Sequence, residues 1–139
     1  MSKILVTGGA GYIGSHTVKK LGVAGYEVVI YDNLSTGSAA AIVYGELCEG
    51  ELNDPQRLSQ VFEQHSFDAV LHFAASISVP ESLEQPLDYY ANNTSNVINV
   101  LQCCKNFNVN QFVVSSTAAV YGEVQESPVE ESSPTIPIN

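Results

Sequence analysis

The sequence predicts a doubly wound α/β domain, a parallel β-sheet with helices on both faces. Three observations predict it. Short apolar runs of strand length recur down the chain, segments of helical spacing separate them, and each glycine-rich or polar segment follows the end of such a run. Parallel neighbours cannot be joined by tight hairpins, so each pair needs a long crossover, and those crossovers are right-handed. Ligands of such sheets bind beyond the carboxyl ends of the strands, where the strand order reverses.

The elements follow in order. Ile4–Thr7 reads as the first strand, broken by closely spaced glycines, and Ser15–Ala24 as the helix that follows, stopped by Gly25. Glu27–Asp32 is the second strand. Asn33 to Gly37 has turn chemistry, Ala39–Val43 fits a short helix or a loop, and Glu46–Glu49 suggests a third strand. Asp54-Pro55 supplies a cap and a first-turn proline for a helix over Pro55–His65. Ala69–Phe73 is the fourth strand, apolar enough to be covered on both faces. A loop, Ala74–Gln85, precedes a long helix from Pro86 to about Phe107, with Val97, Leu101 and Cys104 at core-facing spacings and Val100 on the stripe's edge. Gln111–Ser115 is the fifth strand, and the chain beyond Ser116 reads as irregular.

Length and charge narrow the function classes. A chain of 139 residues makes one domain with a real core. It carries 15 acidic against 5 basic residues, net −10, with no Lys/Arg cluster, so nucleic acid is not an expected partner. Glu123, Glu126, Glu130 and Glu131 are expected to form a solvated loop. No apolar run has the ~18 residues of a membrane span, and the N-terminus enters a strand without a signal-peptide layout, so a cytoplasmic protein away from membranes is expected. Three cysteines without Cys-x-x-Cys spacing fit reduced packing thiols. The glycosylation patterns at Asn92 and Asn93 carry no meaning without secretion.

The glycine turn carries the chemistry. Gly9-x-Gly11-x-x-Gly14 fits the dinucleotide fingerprint, and Gly8-x-x-Gly11-x-x-Gly14 fits its variant with an earlier first glycine. Glycines let the chain turn sharply and lie against a phosphate, which free N–H groups and the positive end of a helix then face. The required context is present: a strand before, a helix after, and Asp32 closing the second strand about 20 positions on. A carboxylate there accepts bonds from both ribose hydroxyls and repels a 2′-phosphate, so NAD is expected in preference to NADP, on a Rossmann-like sheet.

Other strand ends add candidates. Glu51 and Leu52 are placed to accept from the adenine amino group and to cover its ring, or form a simple exposed turn. Ala74 and Ala75 are small enough to allow close approach along the pyrophosphate and its ribose. His72, inside its strand, reads as a satisfied core histidine, and His16 and His65 show no partners for catalysis or metal binding. Asn92 and Asn93 are poor helix formers that call for a reason, either an amide reaching the cofactor or a bend with a satisfied polar network. Ser115-Ser116-Thr117 brings hydroxyls from the fifth strand toward the same face; an alcohol at neutral pH needs a stronger base beside it to accept a proton.

Thr7 to Gly14, Asp32-Asn33-Leu34-Ser35, Glu49-Gly50-Glu51-Leu52, His72-Phe73-Ala74-Ala75, Tyr89 to Asn93 and Ser115 to Gly122 together resemble the extended short-chain dehydrogenase/reductase family, along essentially the whole chain. Within it they look like the branch that interconverts UDP-glucose and UDP-galactose. The resemblance implies NAD contacts at Gly8, Gly11, Tyr12, Ile13, Gly14, Asp32, Asn33, Ser35, Glu51, Leu52, Phe73, Ala74, Ala75, Asn93 and Ser115, and a catalytic role for Thr117, which matches the hydroxyl bridging the sugar O4 and a tyrosine. In that branch the tyrosine, its pKa lowered by a lysine, takes the 4-hydroxyl proton as hydride passes to NAD; the 4-keto sugar turns over and hydride returns to its other face.

The chain departs from that pattern at Glu51, where aspartate is usual, and at Ile77, where many members place lysine. The larger departure is the Tyr-x-x-x-Lys pair. Positions four after Tyr12, Tyr26, Tyr31, Tyr44, Tyr89, Tyr90 and Tyr121 hold His16, Ile30, Ser35, Cys48, Asn93, Thr94 and Gln125. The resemblance thus implies that residues 1–139 are the NAD-binding portion of an epimerase truncated after about five strands, inactive alone and lacking a C-terminal substrate domain. An uncovered sheet edge would favour association, a homodimer included. The alternatives are another nucleotide-sugar epimerase or dehydratase, the latter disfavoured by Ala118-Ala119 after Thr117, and a non-enzymatic NAD-binding module.

Overall fold

The strands of the chain stack in the order β3-β2-β1-β4-β5, all parallel. They are β1 (Lys3–Thr7), β2 (Glu27–Asp32), β3 (Glu46–Glu49), β4 (Ala69–His72) and β5 (Gln111–Val114) in a computed structural model that describes residues 1–124 and 127–139. The order reverses between β1 and β4, as a doubly wound sheet requires. Crossovers run through α1 (Tyr12–Val23), α2 (Pro55–Gln64), α3 (Val79–Glu84), α4 (Pro86–Tyr90) and α5 (Asn96–Asn106), with short 3-10 turns at Ala39–Ala41 and Ala118–Tyr121.

Strand alternation divides the core into two layers. Leu5, Val29, Tyr31 and Val70 face α2 and α5, where Leu58, Val61, Phe62, Val100, Cys103 and Cys104 meet them. Ile4, Val6, Val28 and Ile30 point the other way, onto Val18 of α1. Each such side chain contributes about 1.5–3 kcal/mol by leaving water, and Leu58→Ala, at the centre of the larger layer, is expected to cost about 2–5 kcal/mol. Phe62 packs edge-on against Phe67 at 5.2 Å and tilted against Phe107 at 5.6 Å. All three cysteines are free and buried, and burial pushes their thiols up, Cys104 to about 11.

Several boundaries differ from the sequence reading. α1 begins at Tyr12, not Ser15, because Gly11 already serves as its cap. α2 ends at Gln64 with His65 as its cap, held at the other end by Asp54, whose Oδ1 accepts from Arg57 N at 2.9 Å. β4 and β5 each end one residue early, so Phe73 and Ser115 lie beyond their strands. α3 occupies part of the expected loop, and the expected long helix is α4, a π-helical turn at Ala91–Ser95, and α5. Its core stripe is shifted by one residue. Asn96, Val100, Cys103 and Cys104 are buried, whereas Leu101 is exposed and Val97 only partly covered. Glu123, Glu130 and Glu131 are exposed, as a solvated loop requires, while Glu126 and Gln125 lie outside the described residues.

Candidate functional site

The register brings every strand's carboxyl end to one rim. Thr7 stands beside Tyr31 and His72, Asp32 beside Glu49, and His72 beside Val114. The segments that leave this rim are Gly8 to Gly11, Asn33 to Ser35, Gly50 to Leu52, Phe73 to Ser76, and Ser115 to Thr117, and all the candidate residues but Asn93 lie on them or on the flanking strand end and helix turn. Asn93 reaches the same rim from the π-helical turn.

The glycines of the turn do different work. Gly8 has φ +69°, and a β-carbon there would lie 2.5 Å from Ala74 N, so it makes the tight turn and lets the loop rest on the end of β4. A β-carbon on Gly14 would strike the Gly8 carbonyl and come within 2.8 Å of Gly9 Cα, so Gly14 lets α1 pack onto its own turn. Gly11 is different: the nearest atom to a β-carbon there is Gly8 O at 3.3 Å. The space above Gly11 is left for something other than the protein. Gly9 is constrained as well, since a β-carbon there would lie 2.7 Å from Ile30 Cγ2, but of the two possible first glycines only Gly8 has a positive φ.

α1 begins at this open position without a side-chain cap, and its first turn, Tyr12-Ile13-Gly14, holds no acidic residue. Tyr12 and Ile13 are exposed there. Unpaired N–H groups at a helix start favour an anion. Asp32, largely buried, accepts from Ala10 N at 2.9 Å through Oδ2 and from Leu34 N at 2.9 Å through Oδ1. Each carboxylate oxygen keeps a lone pair for a ribose hydroxyl. The cradle and the carboxylate both fit a dinucleotide.

Next to Asp32, Asn33 Nδ2 donates to Glu51 Oε2 at 3.1 Å, and Asn33 Oδ1 accepts from Ser35 N and Ser35 Oγ at 3.0 and 2.8 Å. The Tyr31 hydroxyl donates to Glu51 O at 2.9 Å, and burial pushes its pKa up to about 12. Leu52 packs on the larger core layer, and its carbonyl accepts from Asn99 Nδ2 at 2.9 Å. These contacts hold the adenine-side candidates in one group.

The opposite end is built around Ser76. Asn93 Oδ1 accepts from Ser76 N and Asn93 Nδ2 donates to Ser76 O, each at 2.8 Å. Asn92 Nδ2 donates to Ser76 Oγ at 2.9 Å, and Asn92 Oδ1 accepts from Asn96 Nδ2 at 3.1 Å. The asparagine pair is thus a satisfied network within a π-helical turn, a feature that recurs at functional sites. It fixes Ala74 and Ala75 between β4 and Ser76. His72 is buried with Nδ1 2.7 Å from Thr7 Oγ1, stacks on Phe112, and has its pKa lowered by burial, as a core histidine should.

Thr117 caps the 3-10 turn that follows β5: its Oγ1 accepts from Ala119 N at 3.1 Å, which leaves the hydroxyl proton free to donate. Ser115 N donates to His72 O at 3.0 Å, fixing the segment to β4. Sequence reasoning missed Ala10, Ser76 and Asn99. Two act through the main chain, which no residue type marks, and Asn99 looked like any exposed helical position.

A family model described as the NAD dependent epimerase/dehydratase family matches residues 4–139. The chain belongs to that family. Among epimerase/dehydratase relatives, a UDP-glucose 4-epimerase of Azospirillum brasilense is 49% identical over 138 residues, covering 99% of this chain and 40% of the relative. The UDP-glucose 4-epimerase of Brucella ovis, solved in complex with NAD, superposes with TM-score 0.92 at 42% identity over 100% of this chain and 43% of its own. The UDP-Glc/GlcNAc 4-epimerase of Campylobacter jejuni gives TM-score 0.91 at 48% identity, over 100% of this chain and 44% of that one. The chain thus spans well under half the length of these family members, and it aligns with them on the doubly wound sheet described above.

Proposed function

We propose that residues 1–139 are the NAD-binding portion of a UDP-glucose 4-epimerase, whose whole reaction interconverts UDP-glucose and UDP-galactose through a 4-keto sugar. The observations that carry this reading are the open space above Gly11 and the Asp32 carboxylate bonded to the neighbouring Ala10 N–H. When bound, NAD would supply the reversible hydride acceptor for the sugar's C4. The chain's own residues hold and orient. The first turn of α1 faces the pyrophosphate, and Asp32 receives the ribose hydroxyls and disfavours a 2′-phosphate. Asn33, Ser35, Glu51 and Leu52 line the adenine side. Phe73, Ala74 and Ala75, next to the Ser76 that Asn93 holds, lie along the pyrophosphate and its ribose, Asn93 stands on the nicotinamide side, and Ser115 and Thr117 present hydroxyls toward the sugar.

Thr117 can donate to a sugar oxygen but cannot serve as the base that accepts its proton. Among these 139 residues no tyrosine has a lysine four positions on. Residues 1–139 alone are therefore expected to bind cofactor without turning over substrate. We also place the protein in the cytoplasm, a reading supported by its buried unpaired thiols. No helix among the described residues is long and apolar enough to cross a membrane. A homodimer is supported by exposed Ile98 and Leu101 on α5.

The name of the Campylobacter jejuni relative favours a second reading, an N-acetylated hexose as further substrate of the whole protein. The test is a coupled assay of the purified, mass-verified chain with UDP-galactose and its N-acetylated counterpart, beside an NAD-binding measurement. Binding without turnover is expected. Any 4-epimerase activity from the 139-residue chain contradicts the division of labour proposed.

A further inference from the structure

The face of edge strand β3 that α2 covers holds a second cluster of chemically active side chains. Glu46 opens β3 and Cys48 follows two residues later, so both project to the face covered by α2. α2 runs back along β3, and its cap residue His65 returns to the strand's beginning. Ligand atoms of Glu46, Cys48 and His65 all lie within 4.8 Å of one another, with His65 Nε2 4.0 Å from Glu46 Oε1. We propose that these three side chains form a site for a borderline transition-metal dication, zinc foremost, separate from the cofactor rim.

The donor set selects the metal. One thiolate, one imidazole and one carboxylate suit zinc or cobalt(II), whereas magnesium and calcium take oxygen shells. Burial grades the site from closed to open. Cys48 is 6% exposed, the His65 side chain 12% and the Glu46 side chain 65%, so the core side is fixed and a fourth position faces water. The His65 ring is held against Phe67, with centroids 5.7 Å apart and planes at 31°. Donors around tetrahedral zinc stand roughly 3.5 Å apart. The three donors stand within 4.8 Å of one another, and small rotations about the Glu46 and His65 side-chain torsions bring them to that spacing. Binding replaces the Cys48 S–H bond by a metal–sulfur bond and releases that proton to solvent. The metal would tie edge strand β3 to the end of α2, beside the existing His65–Glu46 contact.

Cobalt(II) titration of the reduced chain under anaerobic conditions tests this directly. The expected result is one equivalent bound, with a thiolate-to-cobalt charge-transfer band, strong visible bands of a four-coordinate ion, and displacement of both by zinc. His65→Gln and Glu46→Gln, at the rim of the core, should keep the circular dichroism spectrum and the NAD-binding behaviour of the parent. His65→Gln should weaken cobalt binding beyond the roughly 10- to 100-fold that loss of an outer-shell partner costs. Cys48→Ser should remove the charge-transfer band. A titration without that band overturns the proposal, as does a band unchanged in His65→Gln, which would assign the ion to Cys103 and Cys104 instead.

Discussion

The Ala10 N–H donates a 2.9 Å hydrogen bond to Asp32 Oδ2, joining the glycine turn after β1 to the last residue of β2. The two segments meant for phosphate and ribose are therefore one unit. Asp32→Ala removes the acceptors of Ala10 N and Leu34 N together. Hydrogen bonds to a charged group contribute about 1.5–3 kcal/mol each. The expected outcome is a loss of about 3–6 kcal/mol of stability in urea unfolding and at least about tenfold weaker NAD binding, equal to 1.4 kcal/mol. Unchanged affinity would remove Asp32 from the site.

Gly14 and Gly11 separate packing from binding. Alanine normally gains about 1 kcal/mol over glycine inside a helix. Gly14→Ala should nevertheless destabilise by about 3 kcal/mol, because its β-carbon meets main chain that cannot give way. Gly11→Ala has only Gly8 O at 3.3 Å to meet, at φ −75°, ψ 176°, which alanine adopts freely. Its melting temperature should stay near the parent's while NAD affinity falls sharply. A Gly11→Ala chain that still binds NAD at parental strength would show that the space is not used.

Asn93→Ala should act through Ser76. Both ends of the amide are bonded to the Ser76 main chain. Truncation leaves that N–H and carbonyl without partners, at a cost of about 1–3 kcal/mol. Hydrogen exchange at the Ser76 amide should accelerate, and NAD should bind more weakly because Ala74 and Ala75 lose their fixed position. Retained protection at Ser76 would argue that the loop is held some other way.

His72 gives a pH dependence of defined sign. Burial lowers its folded pKa below the ordinary value of about 6.5. The unfolded chain therefore takes up the proton first, and stability is full above pH ~6.5 and falls as the pH drops from there toward the folded pKa. His72→Asn keeps a partner for Thr7 Oγ1 and cannot titrate. Urea unfolding at stepped pH should show a shallower decline for the variant below pH ~6.5, with His16 and His65 common to both chains. Parallel declines would mean that His72 is not the group responsible.

Much of this arrangement could be read before any coordinate. β2 and β3 were legible to the residue because turn chemistry closes both ends of each, Gly25 and Asn33 for one, Gly45 and Gly50 for the other. The glycine spacing and Asp32 were legible because steric and charge demands leave few residue types able to meet them. The start of α1 was not, since Gly14 looks like turn chemistry when it is a packing residue inside a helix. The core face of α5 was misread by one position because apolarity points to Val97 and Leu101, whereas a buried Asn96 is acceptable only once Asn92 supplies its partner. The π-helical turn leaves no mark in a continuous helical pattern. The Glu46, Cys48 and His65 cluster was equally hidden, since only the path of α2 brings His65 back to β3.

Calorimetric titration of the 139-residue chain with NAD and, separately, NADP reads the cofactor site itself. Saturable binding of one NAD per chain is expected, at least about tenfold tighter than NADP, equal to 1.4 kcal/mol, and lost in Gly11→Ala. No heat and no thermal shift with NAD, or equal affinity for both dinucleotides, would contradict it.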